Sequence, residues 1–175
     1  MANVAQYELD YIAWQNHATR FYLGTRLLYQ KKLYAPAAYS AVMTIELLLK
    51  ATLVFHSSGT FNPSDAGHRI AKMAQMVNNK IPSNQPNIPS YFYHEQRYLS
   101  TSRYVTKDKG LTIPNSFLDD LDRVFSDLIS LTPFQYNSEL KRAISGKNKA
   151  ELAIIRTKNI QMRKLRKLLN QRLTS

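Results

Sequence analysis

A glutamate and a lysine, Glu46 and Lys50, lie one helical turn apart in a stretch that is otherwise almost entirely apolar. Because burying an unpaired charge is costly, both side chains need partners or a purpose. One interpretation is structural. The two residues could form an ion pair, because this order of charges is favourable along a helix, or the stem of Lys50 could extend to the surface. The other is a polar pocket for an anionic ligand, in which Lys50 and Arg97 contact phosphate. Glu46 would orient Lys50 in that pocket, and His68 would complete it.

His68 follows Gly67 at a predicted helix start. A histidine at this place most often caps the helix or packs against the preceding loop. The chemical alternative is a general base, whose imidazole ring must lie within reach of the proton that it takes. The sequence shows no orienting partner beside His68, so such a partner must come from a neighbouring helix.

Arginine and tyrosine occur together twice, at Arg97-Tyr98 and at Arg103-Tyr104. Cations beside stackable rings are the groups that bind single-stranded nucleic acid. Packing of the tyrosines against the protein, with the arginines in solvent, fits the pattern equally well. Arg97, Tyr98 and Arg103 are therefore candidate nucleic-acid contacts, with the packing interpretation left open.

Positive charge is concentrated at the C-terminal end. The formal net charge is +12, and residues 146–175 hold nine lysines or arginines against one glutamate, a surplus of eight that leaves +4 for residues 1–145. After a hinge at residues 145–148, the pattern from Lys149 to Leu173 predicts one basic amphipathic helix. A surplus of this kind favours polyanionic partners. The candidate electrostatic contacts are Arg156, Lys158, Arg163, Lys164, Arg166 and Lys167.

Three interpretations of this basic helix stay open. It could bind nucleic acid, with an affinity that falls steeply as the salt concentration rises. It could lie on an anionic membrane surface. Because leucine and isoleucine form a regular stripe, docking on the rest of the protein is the commonest outcome, and the basic face would still be available to a polyanion. In that case its charges would meet the acids of the preceding long helix, which are otherwise expected to form a solvated face: Asp119, Asp120, Asp122 and Asp127.

Residue content excludes several kinds of site. The chain has no cysteine, which rules out disulfides, thiolate metal sites and cysteine nucleophiles. No phosphate-binding glycine loop, zinc-protease motif, EF-hand or nucleophile elbow occurs, so we predict no cofactor and no metal and favour a protein that is not an enzyme. The first residues lack the pattern of a secretory signal, and charges at positions 46 and 50 interrupt the longest apolar run. We therefore expect a cytoplasmic protein without a membrane span.

Long 3.6-residue periodicities and only five glycines predict an all-α protein. We expect an antiparallel helical bundle over residues 1–145, with the basic helix of residues 146–175 appended and docked on it. Helices are predicted at about residues 5–30, 34–56 and 67–80, from residue 90 onward, and at 139–144. Another starts at Ser116, which forms a capping-box-like pair with Asp119, and ends before Pro133. The helix at 34–56 is apolar on nearly every face, which is typical of the centre of a bundle.

The order of these features resembles the HEPN domain family (higher eukaryotes and prokaryotes nucleotide-binding). The resemblance covers roughly Ala5 to Leu131 and rests on the sequence Glu-Leu-Leu-Leu-Lys at 46–50, on Gly67-His68 and on the Arg-Tyr pairs. It implies an antiparallel helical bundle that usually forms a homodimer, in a prokaryotic defence or toxin–antitoxin system. Many members are metal-independent ribonucleases in which a histidine follows an arginine after four to six residues. None of the four histidines of this chain lies at that distance from an arginine.

The resemblance without the nuclease motif implies a non-catalytic protein that binds nucleotide or nucleic acid. One alternative is a ribonuclease toxin with a degenerate active site, which would use Arg97, Arg103 and either His68 or His94. Another is a protein-interaction module that is paired with a nucleotidyltransferase.

Overall fold

The computed structural model describes residues 6–93, 113–133, 138–146 and 148–171, and every regular element within these ranges is a helix. The predicted all-α helical bundle is confirmed. The helices are α1 (Gln6–Gln30), α2 (Tyr34–His56), α3 (Pro63–Ala66), α4 (Ile70–Lys80), α5 (Phe117–Ile129), α6 (Glu139–Ser145), α7 (Lys149–Arg156) and α8 (Met162–Gln171), and one turn of 3-10 helix lies at Pro82–Asn84.

α1 and α2 form an antiparallel pair. The turn between them has three residues. Because a connection this short joins antiparallel neighbours, α2 folds back along α1. Near this turn the Ser40 hydroxyl donates to the Phe21 carbonyl at 2.9 Å. At the other end the rings of Tyr11 and Phe55 meet edge to face, with centroids 5.1 Å apart.

α2 is the central helix of the bundle. Between Ala37 and Val54 only Tyr39 and Met43 are not buried. Among the described helices it alone has the length and composition to cross a membrane, but 83% of its apolar window is buried inside the protein. Its all-round apolarity is therefore explained by neighbouring helices, as the sequence pattern predicts.

α5 packs antiparallel to α1. The ring of Tyr22 stacks on that of Phe125 with centroids 3.9 Å apart, and the Gln15 amide donates to the Thr132 hydroxyl beyond the end of α5. The proline-containing segment 81–93 follows α5 in the opposite direction. The Asn87 carbonyl accepts from a nitrogen of Arg123 at 2.8 Å. Residues 81–90 of this segment form a loop apart from the 3-10 turn, in agreement with the prediction.

One predicted helix start is wrong. The third predicted helix begins at Ile70 rather than at Gly67, because Gly67 takes a positive φ of 58° that ends the short α3. The helix predicted from Ser116 begins at Phe117 with Ser116 as its N-cap residue, as predicted, but the Ser116 side chain makes no capping hydrogen bond. Of the helix predicted from residue 90, only residues 91–93 are described, and these are helical.

The hinge before the basic segment is a sharp turn between capped helices. Gly146 has a φ of +83° and ends α6, a left-handed conformation that glycine adopts without a steric penalty. The side chain of Asn148 then accepts hydrogen bonds from the first backbone amides of α7.

The prediction of one continuous C-terminal helix is wrong. The helix breaks after Arg156, and Lys158 takes a left-handed φ of 52°. Two contacts with α1 explain the break. The Arg26 guanidinium donates to the Thr157 carbonyl, and the Asn159 amide donates to the Tyr22 hydroxyl at 2.8 Å. These bonds hold the chain in a turn that costs about 1–2 kcal/mol for a residue other than glycine.

The C-terminal segment docks on the bundle. Ile155 of α7 and Leu165 of α8 are completely buried in the main hydrophobic core. Docking is therefore the interpretation that the contacts show, although the segment docks as two short helices rather than one.

Candidate functional site

The structure brings Glu46, Lys50 and His68 together, and we call them the Glu46 cluster. Glu46 Oε1 accepts from Lys50 Nζ at 2.7 Å and from His68 Nδ1 at 2.9 Å, while His68 Nδ1 also lies 3.1 Å from Oε2. The side chains of Glu46 and Lys50 are 3% and 8% exposed, whereas that of His68 is 75% exposed. A buried ion pair thus lies beneath an open imidazole ring.

Each member of the Glu46 cluster is positioned by a different part of the fold. Lys50 lies one turn after Glu46 on α2, and its ammonium group is 5.4 Å from the centre of the Trp14 ring of α1, which gives the buried cation a second favourable contact. His68 comes from the turn before α4. This turn reaches the middle of α2 because the positive φ of Gly67 redirects the chain after α3.

Glu46 supplies the orienting partner that the sequence around His68 does not show. Since a carboxylate only accepts hydrogen bonds, the proton of this contact belongs to Nδ1 of His68. Nε2 then carries the lone pair of the neutral ring, on a side chain that faces solvent. The arrangement can take up a proton or attack an electrophile at Nε2, which a capping histidine cannot do.

Lys50 is less suited to hold a phosphate than the sequence suggests. It is engaged with Glu46 and Trp14 and has little exposed surface. An anion that reached Lys50 would have to displace the Glu46 carboxylate, so these contacts favour the structural interpretation of the pair. The other residues of the predicted pocket and nucleic-acid contact, together with the second candidate histidine, lie outside the described residues: Arg97, Tyr98, Arg103 and His94.

A second buried charge cluster joins α1, α5 and the C-terminal segment. Asp122 forms an ion pair with Arg26, in which Arg26 Nη1 donates to both carboxylate oxygens, and both side chains are fully buried. The Tyr22 hydroxyl donates to Asp122 Oδ1 at 2.7 Å, and Arg26 Nε donates to the Ile154 carbonyl at 3.0 Å. Burial raises the pKa of the Asp122 carboxyl, although Arg26 opposes this shift, and burial also raises the pKa of Tyr22 well above its ordinary value.

The expectation that the acids of α5 form a solvated face is wrong for Asp122. This residue follows Leu121 and lies three residues before Phe125, so it falls within the apolar stripe of α5 rather than opposite to it. The position of Asp122 within this apolar stripe is the sequence signal that indicates its burial. The predicted contact between these acids and the basic segment is formed at Asp127, which accepts from Lys164 Nζ at 2.7 Å.

Comparison of the chain with protein-family models, with curated proteins and with solved structures finds no match. The HEPN resemblance therefore stays a prediction, together with the activity and partners that it implies. Within the described ranges, no group of three or more histidine, aspartate or glutamate side chains is placed to hold a metal ion.

The docked C-terminal segment presents a basic face to solvent. Its candidate contacts are all exposed: Arg156, Lys158, Arg163, Lys164, Arg166 and Lys167. Lys164 is paired with Asp127, and the other five form no ion pair with any residue in the described part of the chain. Beside Lys164 lies an open depression of about 580 Å³. The polar groups lining it include His56, Asn84 and Gln85.

Replacing Lys50 by methionine is expected to lower the free energy of unfolding by about 1–3 kcal/mol, because the buried Glu46 carboxylate is then left with only one of its two partners. Urea unfolding followed by circular dichroism measures the change. Lys72→Met is the matched control, since Lys72 is exposed on α4 and makes only a 3.4 Å contact with the Asp65 carbonyl. Equal stability of the two variants would show that the pair does not stabilise the fold.

Proposed function

We propose that this chain is a non-catalytic, HEPN-like helical protein that binds nucleic acid through the basic face of α7 and α8. The observation that carries the proposal is the division of this segment into two faces. Ile155 and Leu165 are buried in the core, while the cations between and after them are exposed. The segment thus has a fixed orientation, with its charges held outward on a folded support.

This orientation favours a polyanion over insertion into a membrane surface. A helix that lies in a membrane interface must offer its apolar face to the lipid. In this protein the apolar stripe of α7 and α8 faces the bundle instead of lipid, through Ile155 and Leu165. Phosphate groups need only the cations, and contacts of this kind supply most of the affinity of nucleic-acid binding without sequence preference.

The five cations without an ion-pair partner in the described residues are available to phosphates at no cost in broken salt bridges. Lys164 is the exception, because binding there competes with Asp127. We therefore place the main contact on Arg163, Arg166 and Lys167 of α8, with Arg156 and Lys158 extending it along the preceding turn. Binding as a homodimer, participation in a defence system, and pairing with a nucleotidyltransferase belong to the same proposal through the HEPN resemblance.

The double substitution Arg163→Glu, Lys167→Glu is expected to lower affinity for a single-stranded oligonucleotide more than tenfold at low salt. The slope of log K against log salt concentration should also become shallower, by about 0.7 for each phosphate that the protein no longer neutralises. Fluorescence anisotropy of a labelled oligonucleotide at several salt concentrations measures both quantities. Both residues are exposed, so the fold should be retained, which circular dichroism can establish.

The matched control is Arg69→Glu, Lys72→Glu, which changes the net charge equally at exposed positions outside α7 and α8. The proposal expects this control to reduce affinity far less than the variant in α8. Equal reductions would mean that net charge rather than the basic face determines binding. Unchanged binding by the α8 variant would overturn the proposal outright.

A further inference from the structure

The open imidazole of His68 differs from the other described histidines. His56 uses Nε2 to donate to the Leu131 carbonyl at 2.8 Å, so that nitrogen is protonated and engaged. His17 is exposed on the outer side of α1. Only at His68 does the described structure hold Nδ1 against a buried carboxylate and leave Nε2 to solvent.

We propose that His68 is a phosphorylation site whose Nε2 accepts a phosphoryl group from an acyl phosphate or phosphoramidate donor. This inference goes beyond nucleic-acid binding and does not depend on it. A nucleophile is activated when a neighbouring group holds it in its reactive form and orientation. Glu46 does this by binding the Nδ1 proton, which keeps the lone pair on Nε2.

Exposure is the reason to infer group transfer rather than catalysis in an enclosed site. A side chain that is 75% exposed does not exclude water from a bound substrate, and water exclusion is what strengthens the electrostatic contacts of most active sites. The same exposure lets a phosphoryl donor approach Nε2 freely. A small donor or the donor group of a partner protein fits this geometry equally well.

The charges around His68 suit a phosphoryl group. Lys50 neutralises Glu46, so the carboxylate beneath the ring does not act as an unbalanced repulsive charge. In the sequence next to His68, Arg69 and Lys72 are exposed cations, and Asp65 is an exposed acid. Cations near a transferring phosphoryl group stabilise the charge that develops on its oxygens.

The transfer step balances without a metal. The lone pair of His68 Nε2 attacks the phosphorus and the Nε2–P bond forms, while the P–O bond to the carboxylate of an acyl phosphate, or the P–N bond of phosphoramidate, breaks. The bonding electrons leave with the carboxylate in the first case and with the nitrogen in the second, which departs as ammonia after protonation. The ring then carries a positive charge with its proton still on Nδ1, and the Glu46 carboxylate stabilises this charge. Later attack by water on phosphorus releases phosphate and regenerates the imidazole.

The test uses the full chain with potassium phosphoramidate and, separately, acetyl phosphate as donors. Phosphohistidine is detected by ³¹P NMR and located by fragmentation mass spectrometry under alkaline conditions. We expect His68 to be modified at Nε2 at least tenfold faster than His17, the exposed reference in the same molecule. His68→Asn should abolish this signal, and Glu46→Gln should reduce the His68 rate about tenfold.

Two results would overturn the proposal. One is equal modification of His68 and His17 in the folded protein, and the other is a His68 rate that is unchanged in a folded Glu46→Gln variant. If Glu46→Gln does not fold, the comparison is made in the wild-type chain with and without urea. Disappearance of the preference for His68 on unfolding supports the proposal, whereas a preference that persists in urea comes from the local sequence and overturns it.

Discussion

Replacing Asp122 by alanine is expected to lower the free energy of unfolding by about 3–5 kcal/mol. The substitution leaves the fully buried guanidinium of Arg26 without its counter-ion. It also removes the acceptor of the Tyr22 hydroxyl. Because a protein of this size is stable by only about 5–15 kcal/mol, this decrease is a large fraction of the total stability.

Chemical and thermal unfolding of the purified variant measure this decrease. Asp119→Ala is the matched control, because Asp119 is exposed on the same helix and its replacement should cost less than about 0.5 kcal/mol. A double variant, Arg26→Met with Asp122→Leu, should recover only part of the stability, since it removes the unpaired buried charge but also the Arg26 donors to the Ile154 and Thr157 carbonyls. A decrease below about 1 kcal/mol for Asp122→Ala would show that the pair is not essential to the bundle.

Removal of the chain after Gly146 is expected to prevent stable folding of the remaining bundle. The deletion exposes the core against which Ile155 and Leu165 pack, and it removes both backbone carbonyls that accept from Arg26. Replacing one of these two side chains by alanine, as in Leu165→Ala, should lower the free energy of unfolding by about 2–5 kcal/mol. The deletion removes both side chains together.

Thermal unfolding and the dispersion of amide NMR signals test this expectation. Leu165→Ala provides the quantitative comparison, and Leu152→Ala serves as a partly exposed control in the same segment. If the truncated chain unfolds at the same midpoint temperature as the full chain, the expectation that the bundle needs the C-terminal segment is contradicted. If the expectation holds, the absence of nucleic-acid binding after truncation says nothing about the basic face, whereas charge reversal on α8 does.

The helices that sequence alone predicts well are those whose signal is local. The bounds of α2 coincide with the apolar run between the turn at Lys31-Lys32 and the loop after His56. The docking of the basic segment also follows from its apolar stripe, because leucine and isoleucine at helical spacing must be buried somewhere. The all-α class requires no more than these periodicities.

The features that the sequence does not reveal depend on contacts between distant residues. Thr157-Lys158-Asn159 contains neither glycine nor proline, and Asn159 is a weak signal of a helix boundary on its own. The break exists because Arg26 and Tyr22, more than 120 residues earlier, bond to this turn. Asp122 likewise has a partner only because α1 lies antiparallel to α5, which no local pattern specifies.

The Glu46 cluster lies between these cases. The spacing of Glu46 and Lys50 predicts their ion pair directly. The contact with His68 instead depends on the path of the loop after α2 and on the positive φ of Gly67. The sequence could therefore name all three residues as candidates, but only the fold shows that the imidazole is oriented by the carboxylate.

Arg26 holds the C-terminal segment through main-chain oxygens, those of Ile154 and Thr157. Every residue type offers the same carbonyl group, so this attachment does not depend on which side chains the segment carries. Apart from Asn159 and the two core positions, the outward residues of α7 and α8 can thus change over evolution without disturbing how the segment is anchored. The fold separates a constant attachment from a variable surface, which would allow related chains to acquire different partners on the same scaffold.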